Sequence, residues 1–479
     1  MNELIQKSAS EIVDLLATKQ ITPLEAVEAS AERIAQVEPF INAMPTLCIE
    51  KAIDRAKHLT GQNDLADKSQ RGYLFGLPIS VKDLTETAGV RTTFGSPIYE
   101  DYIPKISDIL VQQLIERGAI IMGKSNTPEF GAGASTFNEV FGLTRNPWDT
   151  EKSVAGSSGG ACASVASGQV WLATGSDLGG SLRTPASFNS VVGMRPSPGR
   201  VPRDRVHDPF SCLHVQGPIA RNTTDLALFL DAMSGYSPFD PLSYPAPPAS
   251  YQSAVDRAQA PRKIAYSPDL GITRVSPQVD EICRNAVRLF EKSGTVIDET
   301  CSNFSGAVES FDVLRGASFA CGLAKEYKKR RDLLKPEIVW NIERGLKLTV
   351  DDIARAEQTQ SKIFRSLIRL FESYDLLVCP CAIVPPFDVD IRYIESIDDH
   401  KFSTYYEWIA ITFALTLTSC PVLAIPAGFT TDGLPVGLQI VAPPRREDLL
   451  LAAGHLLESE TAIPGKLPIM PVSVNTTDL

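Results

Sequence analysis

The chain of 479 residues is 43% hydrophobic and 22% charged, which excludes a disordered or fibrous protein, and it is long enough for about three average domains or one large α/β unit. A formal net charge of −11 and a pI near 5.2 argue against nucleic acid or an anionic membrane as partner, since both attract basic surfaces, and favour a small-molecule ligand. Nine scattered cysteines make no disulfide framework and the N-terminal MNELIQKSASEIVDLL lacks the basic-then-apolar order of a signal peptide, so a cytoplasmic location is expected.

Taken in chain order, Ser8 with Glu11 and Thr22 with Glu25 are capping boxes, the second with Pro23 at the first helical position, and they predict two N-terminal helices. Leu24, Val27, Ile34 and Val37 lay an apolar stripe along the second helix. After a polar stretch over residues 61–71 comes a short apolar strand, Leu77-Pro78-Ile79-Ser80-Val81, ending on Lys82-Asp83. A helix over 107–117 and a strand over 119–122 complete a β-α-β alternation. Residues 118–125, GAIIMGKS, match the P-loop letter for letter. The four residues between its glycines are themselves strand, however, and Asn126-Thr127-Pro128 disfavours the helix that a P-loop requires next, so nucleotide binding is not expected.

Residues 155–185, AGSSGGACASVASGQVWLATGSDLGGSLRTP, stand out because no charge occurs between Lys152 and Asp177. Two Gly-Ser clusters, Gly156-Ser157-Ser158-Gly159-Gly160 and Gly179-Gly180-Ser181, flank a small-residue helix over 161–165 and a buried strand over 170–173. Glycines at such turns let backbone N–H groups approach a ligand closely, which suits either a phosphate cradle or a serine nucleophile beside an oxyanion hole.

Further on, Asn222 or Thr223 caps a helix carrying Leu226, Leu228, Phe229 and Leu230. Residues 237–261, rich in proline, serine and tyrosine, read as a surface connection. A second α/β half follows, with a strand over 263–266, a helix over 276–292, a strand over 295–297, a mostly helical region over 308–371, and buried strands over 376–378 and 422–425. The uncharged run 408–429 is long enough to cross a membrane, but Pro421 and Pro426 break it into a buried helix and a core strand. Cys379-Pro380-Cys381 has no second cysteine pair or histidine cluster beside it, so buried free thiols are expected rather than a metal site. Strands alternating with helices imply an α/β fold, with helices covering a mostly parallel or mixed sheet.

Hydrolysing an amide requires a nucleophile, a proton acceptor and donors aimed at the developing oxyanion. Of the five histidines, His58 and His455 lie in amphipathic helical surroundings and His400 in a polar loop; His207 and His214 follow the glycine-serine stretch and could reach it, without a recognisable orienting partner. No Ser-His-Asp constellation and no Gly-x-Ser-x-Gly elbow occurs at Ser157 or Ser181, which leaves serine with a lysine base as the alternative. A lysine serves as a base near pH 7 only if burial lowers its pKa from about 10.4, and the charge-free surroundings of both serines are suited to that.

Four runs resemble the amidase signature family: GLPISVKD over 76–83, GLTRNPWD over 142–149, the stretch 155–185, and Gly428 with DGLPVGLQ over 432–439. They cover most of the chain in the family's order. The resemblance implies a C–N hydrolase acting on linear amides, folded as one large α/β domain with a central mixed, mostly parallel sheet flanked by helices. Its signature core would span about 71–235, a surface connection 237–261, and a second, pocket-lining half 262–479. It also implies a Ser-Ser-Lys triad in which Ser181 is the nucleophile and Ser157, in a non-proline cis peptide, relays its proton to Lys82. The backbone N–H groups of Leu178, Gly179, Gly180 and Ser181 would form the oxyanion hole, supported by Asp177, Arg183 and Ser158. Ala132, Gly133, Ala134 and Ser135, with the region 308–406, are expected to line the substrate pocket. No cofactor or metal is implied; the partner would be a small-molecule amide, with a homodimer as one possible assembly.

Three other readings stay open. The same triad attacks carbamates and esters. A glutaminase subunit of a tRNA-dependent amidotransferase is a family alternative, although residues 130–139 depart from its Met-Gly-Ser-Ser-Thr-Glu run and residues 333–354 lack its basic glutamine-binding pattern. A non-catalytic amidase-like binding protein would have lost the triad, whereas Lys82, Ser157 and Ser181 are all present.

Overall fold

The strands that carry the glycine-serine stretch lie inside one sheet of eleven, described by a computed structural model over residues 2–61, 71–205, 207–461 and 463–472. The polar stretch expected at 61–71 falls almost wholly outside the described residues. In chain order the strands are β1 (Thr46–Leu47), β2 (Pro78–Lys82), β3 (Ile120–Ser125), β4 (Leu172–Asp177), β5 (Val192–Arg195), β6 (Val215–Ala220), β7 (Lys263–Tyr266), β8 (Val296–Glu299), β9 (Leu376–Pro380), β10 (Val422–Phe429) and β11 (Pro435–Val441). Across the sheet they run β1-β3-β2-β4-β6-β5-β10-β11-β9-β7-β8. The α/β architecture with a mixed sheet is as expected, but the parallel majority is not. Parallel pairs occur toward the two ends, β3-β2-β4 and β9-β7-β8, while the six other pairings are antiparallel. The reason is the C-terminal hairpin β10-β11, which inserts between β5 and β9 and pairs antiparallel on both sides.

Helices cover this sheet, and their starts follow the sequence. Both N-terminal capping boxes form, opening helices Ala9–Ala17 and Pro23–Ile41, and Asn222 accepts the Asp225 N–H at the start of helix Thr223–Met233. Helix Gly159–Ala166 is buried along its whole length, since its small side chains let strands approach from every direction; a Cβ on Gly160 would lie 2.4 Å from the Asn126 backbone nitrogen. In the second half, helices Ala307–Arg330, Pro336–Gly345 and Val350–Leu370 pack together as a helical layer.

Three expectations resolve in detail. The P-loop look-alike is strand β3, and its Lys124 is wholly buried, donating to Thr85 O at 2.7 Å and Thr92 Oγ1 at 2.8 Å beside Asp83 at 3.3 Å, so its ammonium is used internally. The run 408–429 becomes the buried helix Ala410–Thr416 followed by β10, and no described helix is long and apolar enough to cross a membrane. The segment 237–261 is more than a surface connection: it contains helix Tyr251–Asp256, whose Tyr251 and Val255 are buried against helices Thr223–Met233 and Glu447–Ser459.

Candidate active site

Strand β2 runs parallel to β4, pairing Ile79 with Leu172 and Ser80 with Ala173. Lys82 therefore ends β2 beside the last turn of β4, at the carboxyl end of two adjacent parallel strands, where open α/β sheets bind their ligands. Alternation puts Ser80 and Lys82 on one face, and Ser80 Oγ lies 3.3 Å from Ser164 Oγ of helix Gly159–Ala166. The Lys82 side chain thus meets the N-terminus of that helix. Its Nζ lies 2.8 Å from Ser157 Oγ, 2.9 Å from Ser158 Oγ and 3.0 Å from Ser176 Oγ. Burial pushes the amine down from its ordinary 10.5 to about 7, against the opposing pull of Asp177. The Gly156-Ser157 peptide is cis, as the resemblance implies.

Past β4, the turn 178–181 is held from below by the Asp177 carboxylate. Burial alone would raise the Asp177 pKa, but Arg183 and Arg195 hold it well below the usual carboxylate range. Arg183 donates all five of its N–H groups: Nε to Asp177 Oδ2 at 3.0 Å, Nη1 to Thr412 O at 2.7 Å and Gln439 Oε1 at 2.8 Å, and Nη2 to Asp177 Oδ1 at 3.0 Å and Thr416 Oγ1 at 2.9 Å. Arg195 adds a second cation at 3.2 Å from Asp177 Oδ1. Within the turn, the Gly180 N–H donates to Asp177 Oδ1 at 3.0 Å. Of the four amides that the resemblance assigns to an oxyanion hole, Gly180 is therefore committed elsewhere, while Leu178, Gly179 and Ser181 form no hydrogen bond through their N–H among the described residues.

Ser157, Ser176, Leu178 and Ser181 open into a cavity of about 270 Å³. Its walls are largely apolar, from Leu84, Phe94, Tyr99 and Phe130 together with Phe319 and Leu323 of helix Ala307–Arg330. His207 and His214 both line it. Burial and the neighbouring Arg203 push His214 down to about 3, which keeps its imidazole neutral. Arg315, Ser318 and Glu326 do come from the region 308–406, but Ala132, Gly133, Ala134 and Ser135 do not line this cavity. Ala132 is buried against Phe319, Leu334, Ile338 and Ile342, and the backbone of Ala134 and Ser135 packs behind Gly156; it is their neighbours Phe130 and Gly131 that face the cavity.

Sequence reasoning missed Ser176, Arg195 and the aromatic wall. Ser176 precedes Asp177 on a strand beside Lys82, a relation visible only once β2 and β4 are paired. Residues 315, 319, 322 and 326 recur at helical spacing, a signal present in the sequence but not tied to any site before the fold was known.

A buried amine ringed by serine hydroxyls under an apolar cavity, at the carboxyl ends of parallel strands, is the site of an α/β enzyme that attacks a carbonyl or phosphoryl centre. The chain belongs to the Amidase family, whose model matches residues 25–451, and it is an amide hydrolase. It is 34% identical over 495 residues to a glutamyl-tRNA(Gln) amidotransferase subunit of Moorella thermoacetica, covering 98% of this chain and 100% of that protein. To an acylamidase of Rhodococcus erythropolis it is 33% identical over 460 residues, covering 94% and 95%. Among solved structures, a bacterial aryl acylamidase of the amidase signature enzymes superposes with a TM-score of 0.87 at 27% identity, over 97% of this chain and 99% of the other.

Proposed function

We propose that the protein hydrolyses a carboxylic amide bearing an apolar or aryl group, through an acyl-enzyme on Ser181. The observation that carries this reading is Lys82: a fully buried amine, lowered to about 7, with three serine hydroxyls around it and the cavity above. A neutral amine has two N–H donors and one lone pair. Ser158 Oγ is 3.2 Å from Ser176 O and donates to it, so Ser158 accepts from Lys82. The lone pair is then left for a hydroxyl proton from Ser157 or Ser176, and Ser157 is the one next to the turn that carries Ser181 in the family's scheme.

In the proposed sequence Ser181 Oγ attacks the amide carbon while its proton passes through Ser157 to Lys82. The oxyanion receives the free amides of the turn, with Leu178, Gly179 and Ser181 as candidates. Collapse breaks the C–N bond and the departing nitrogen takes the proton back from Lys82 by way of Ser157; water then attacks the ester, its proton passing through Ser157 to Lys82 and returning to Ser181 Oγ as the C–O bond breaks. The aromatic wall of Phe94, Tyr99, Phe130 and Phe319 supports an apolar or aryl substituent. That resembles what the name aryl acylamidase says of the superposed structure. Carbamates and esters fit the same chemistry and are secondary substrates in this reading.

The test is labelling with a fluorophosphonate followed by peptide mapping, alongside turnover of an anilide by Ser181→Ala. The adduct is expected on Ser181, with anilide turnover lost in the variant. An adduct on Ser157 or Ser176 instead would overturn the assignment of the nucleophile.

A further inference from the structure

Of the two arginines that line the cavity, Arg315 has no ion pair among the described residues. It is 6% exposed and lies on helix Ala307–Arg330. Its Nε donates to Asn341 Oδ1 at 3.2 Å and its Nη2 to Tyr405 OH at 2.6 Å, both neutral acceptors. Two of five N–H groups are thus used, where Arg183 uses all five and faces a carboxylate besides. The remaining Nη1 protons and the second Nη2 proton form the end of the guanidinium fork that accepts a carboxylate bidentately.

Of the acids nearby only Asp312 is taken by an ion pair; Asp208 and Glu326 line the same cavity and accept from hydroxyls, and neither forms an ion pair with Arg315 among the described residues. Asp312, one turn earlier on the helix, is paired with Arg344 and accepts the Tyr406 O–H. Asp208 accepts Ser318 Oγ–H at 2.7 Å, and Glu326 accepts Tyr99 O–H at 3.2 Å, further along the cavity. Arg205, the other arginine in the lining, is paired with Glu86 at 2.8 Å. The Arg315 guanidinium is also fixed in place, 4.5 Å from the Phe319 ring and 4.7 Å from the Tyr406 ring. A buried cation without a counter-charge is costly, and its retention in a ligand cavity points to a ligand that supplies the anion.

Helical geometry sets how far that anion lies from the reacting atoms. Phe311, four residues before Arg315, is the side chain nearest a Cβ built on Gly179, at 3.1 Å. Four residues advance about 6 Å along a helix, so Arg315 lies one helical turn from the residue that meets the turn carrying Ser181. From this we propose that Arg315 is a specificity-determining residue that binds a carboxylate of the substrate, making the substrate class an amide with a carboxylate a few bonds from the scissile carbonyl. This rests on the amide-hydrolase reading above and narrows it.

The test uses matched pairs that differ only in charge: 4-acetamidobenzoate with its methyl ester, carrying the carboxylate on the amine side, and succinyl-4-nitroanilide with its methyl ester, carrying it on the acyl side. The wild-type enzyme is expected to have at least 10-fold higher kcat/KM for the acid of one pair, and that pair identifies the side. Arg315→Met is expected to lower kcat/KM at least 30-fold more for that acid than for its ester, mostly through KM, with Arg315→Lys in between. Equal wild-type kcat/KM within both pairs, or equal losses on acid and ester in Arg315→Met, overturns the assignment. Calorimetric binding of the same pairs to Ser181→Ala protein decides the matter without turnover and without the arginine variant's folding: the acid must bind at least 10-fold tighter than the ester in one pair, and failure of both acids to do so overturns it. Absent turnover and absent acylation of Ser181, together with selective binding of an acid, would sink the hydrolytic mechanism and leave the carboxylate site standing.

Discussion

Lys82 gathers the energetics of the site into one side chain. Its amine ordinarily titrates at 10.5 and here at about 7, so below pH 7 the folded protein carries a buried charge and between 7 and 10.5 it binds fewer protons than the unfolded chain. A folded pKa depressed in this way makes stability rise with pH across that window, because the unfolded state binds more protons. Lys82→Met removes the titration, and the variant's melting temperature relative to wild type is expected to be highest near pH 6 and to fall steadily toward pH 10. A pH-independent difference would show that Lys82 titrates normally. The same ionisation should govern catalysis: kcat/KM is expected to rise through about pH 7 to a plateau as the amine becomes neutral, and Lys82→Ala to lose about 10²–10⁴-fold, the usual range for a general base. His214, already neutral at these pH values because it is pushed down to about 3, provides the control. His214→Asn should leave the midpoint of the profile where Lys82 sets it; a midpoint that moves or disappears would assign the base to the histidine.

The turn 178–181 works as an element rather than as single residues. Gly180 has φ of +131°, and a Cβ there would lie 2.3 Å from Thr412 Oγ1. Thr412 cannot simply swing aside, since its Oγ1 donates to Gly179 O at 2.7 Å and so holds the carbonyl of the same turn. Gly180→Ala is expected to cost about 1–3 kcal/mol in urea unfolding and to lower kcat more than KM. A variant with wild-type stability and activity would mean that the turn relaxes freely. How well the sequence announced its elements follows from the same local physics. Capping boxes and apolar strands with β-branched residues were legible, because their signals are local. The strand after helix Gly159–Ala166, expected at 170–173, lies at Leu172–Asp177 and contains Gly175; a Cβ there would meet Leu182 Cδ2 at 2.5 Å, so the glycine serves close packing inside the strand. Strands Val192–Arg195 and Val215–Ala220 carry glycine or proline and are buried on every residue, so neither alternation nor a long apolar run marked them.

At the scale of the whole molecule, the site depends on segments far apart in the chain. The family runs in the sequence pointed to a lysine and two serines on one enzyme, but not to the path by which the C-terminal hairpin reaches them. Strands β10 and β11 lie between β5 and β9, and Gln439 on β11 accepts from Arg183 while donating to Pro380 O and Ile411 O. The last turn of the sheet thus completes the support of the turn that carries Ser181. The cavity is likewise shared, with Ser157 and Ser181 at its foot from the first half and Arg315 and Phe319 on its wall from the second. Two halves joined through one sheet and one cavity should unfold together, so heating is expected to give a single transition in which near-ultraviolet circular dichroism, calorimetry and loss of amide hydrolysis coincide. Ending the chain after residue 421 removes both hairpin strands, exposes the edges of β5 and β9, and is expected to leave protein that aggregates and hydrolyses nothing. Two separated transitions, or an active truncated chain, would mean that the signature half forms its site without the hairpin, contrary to the hydrogen bond that Gln439 makes with Arg183 beneath the turn.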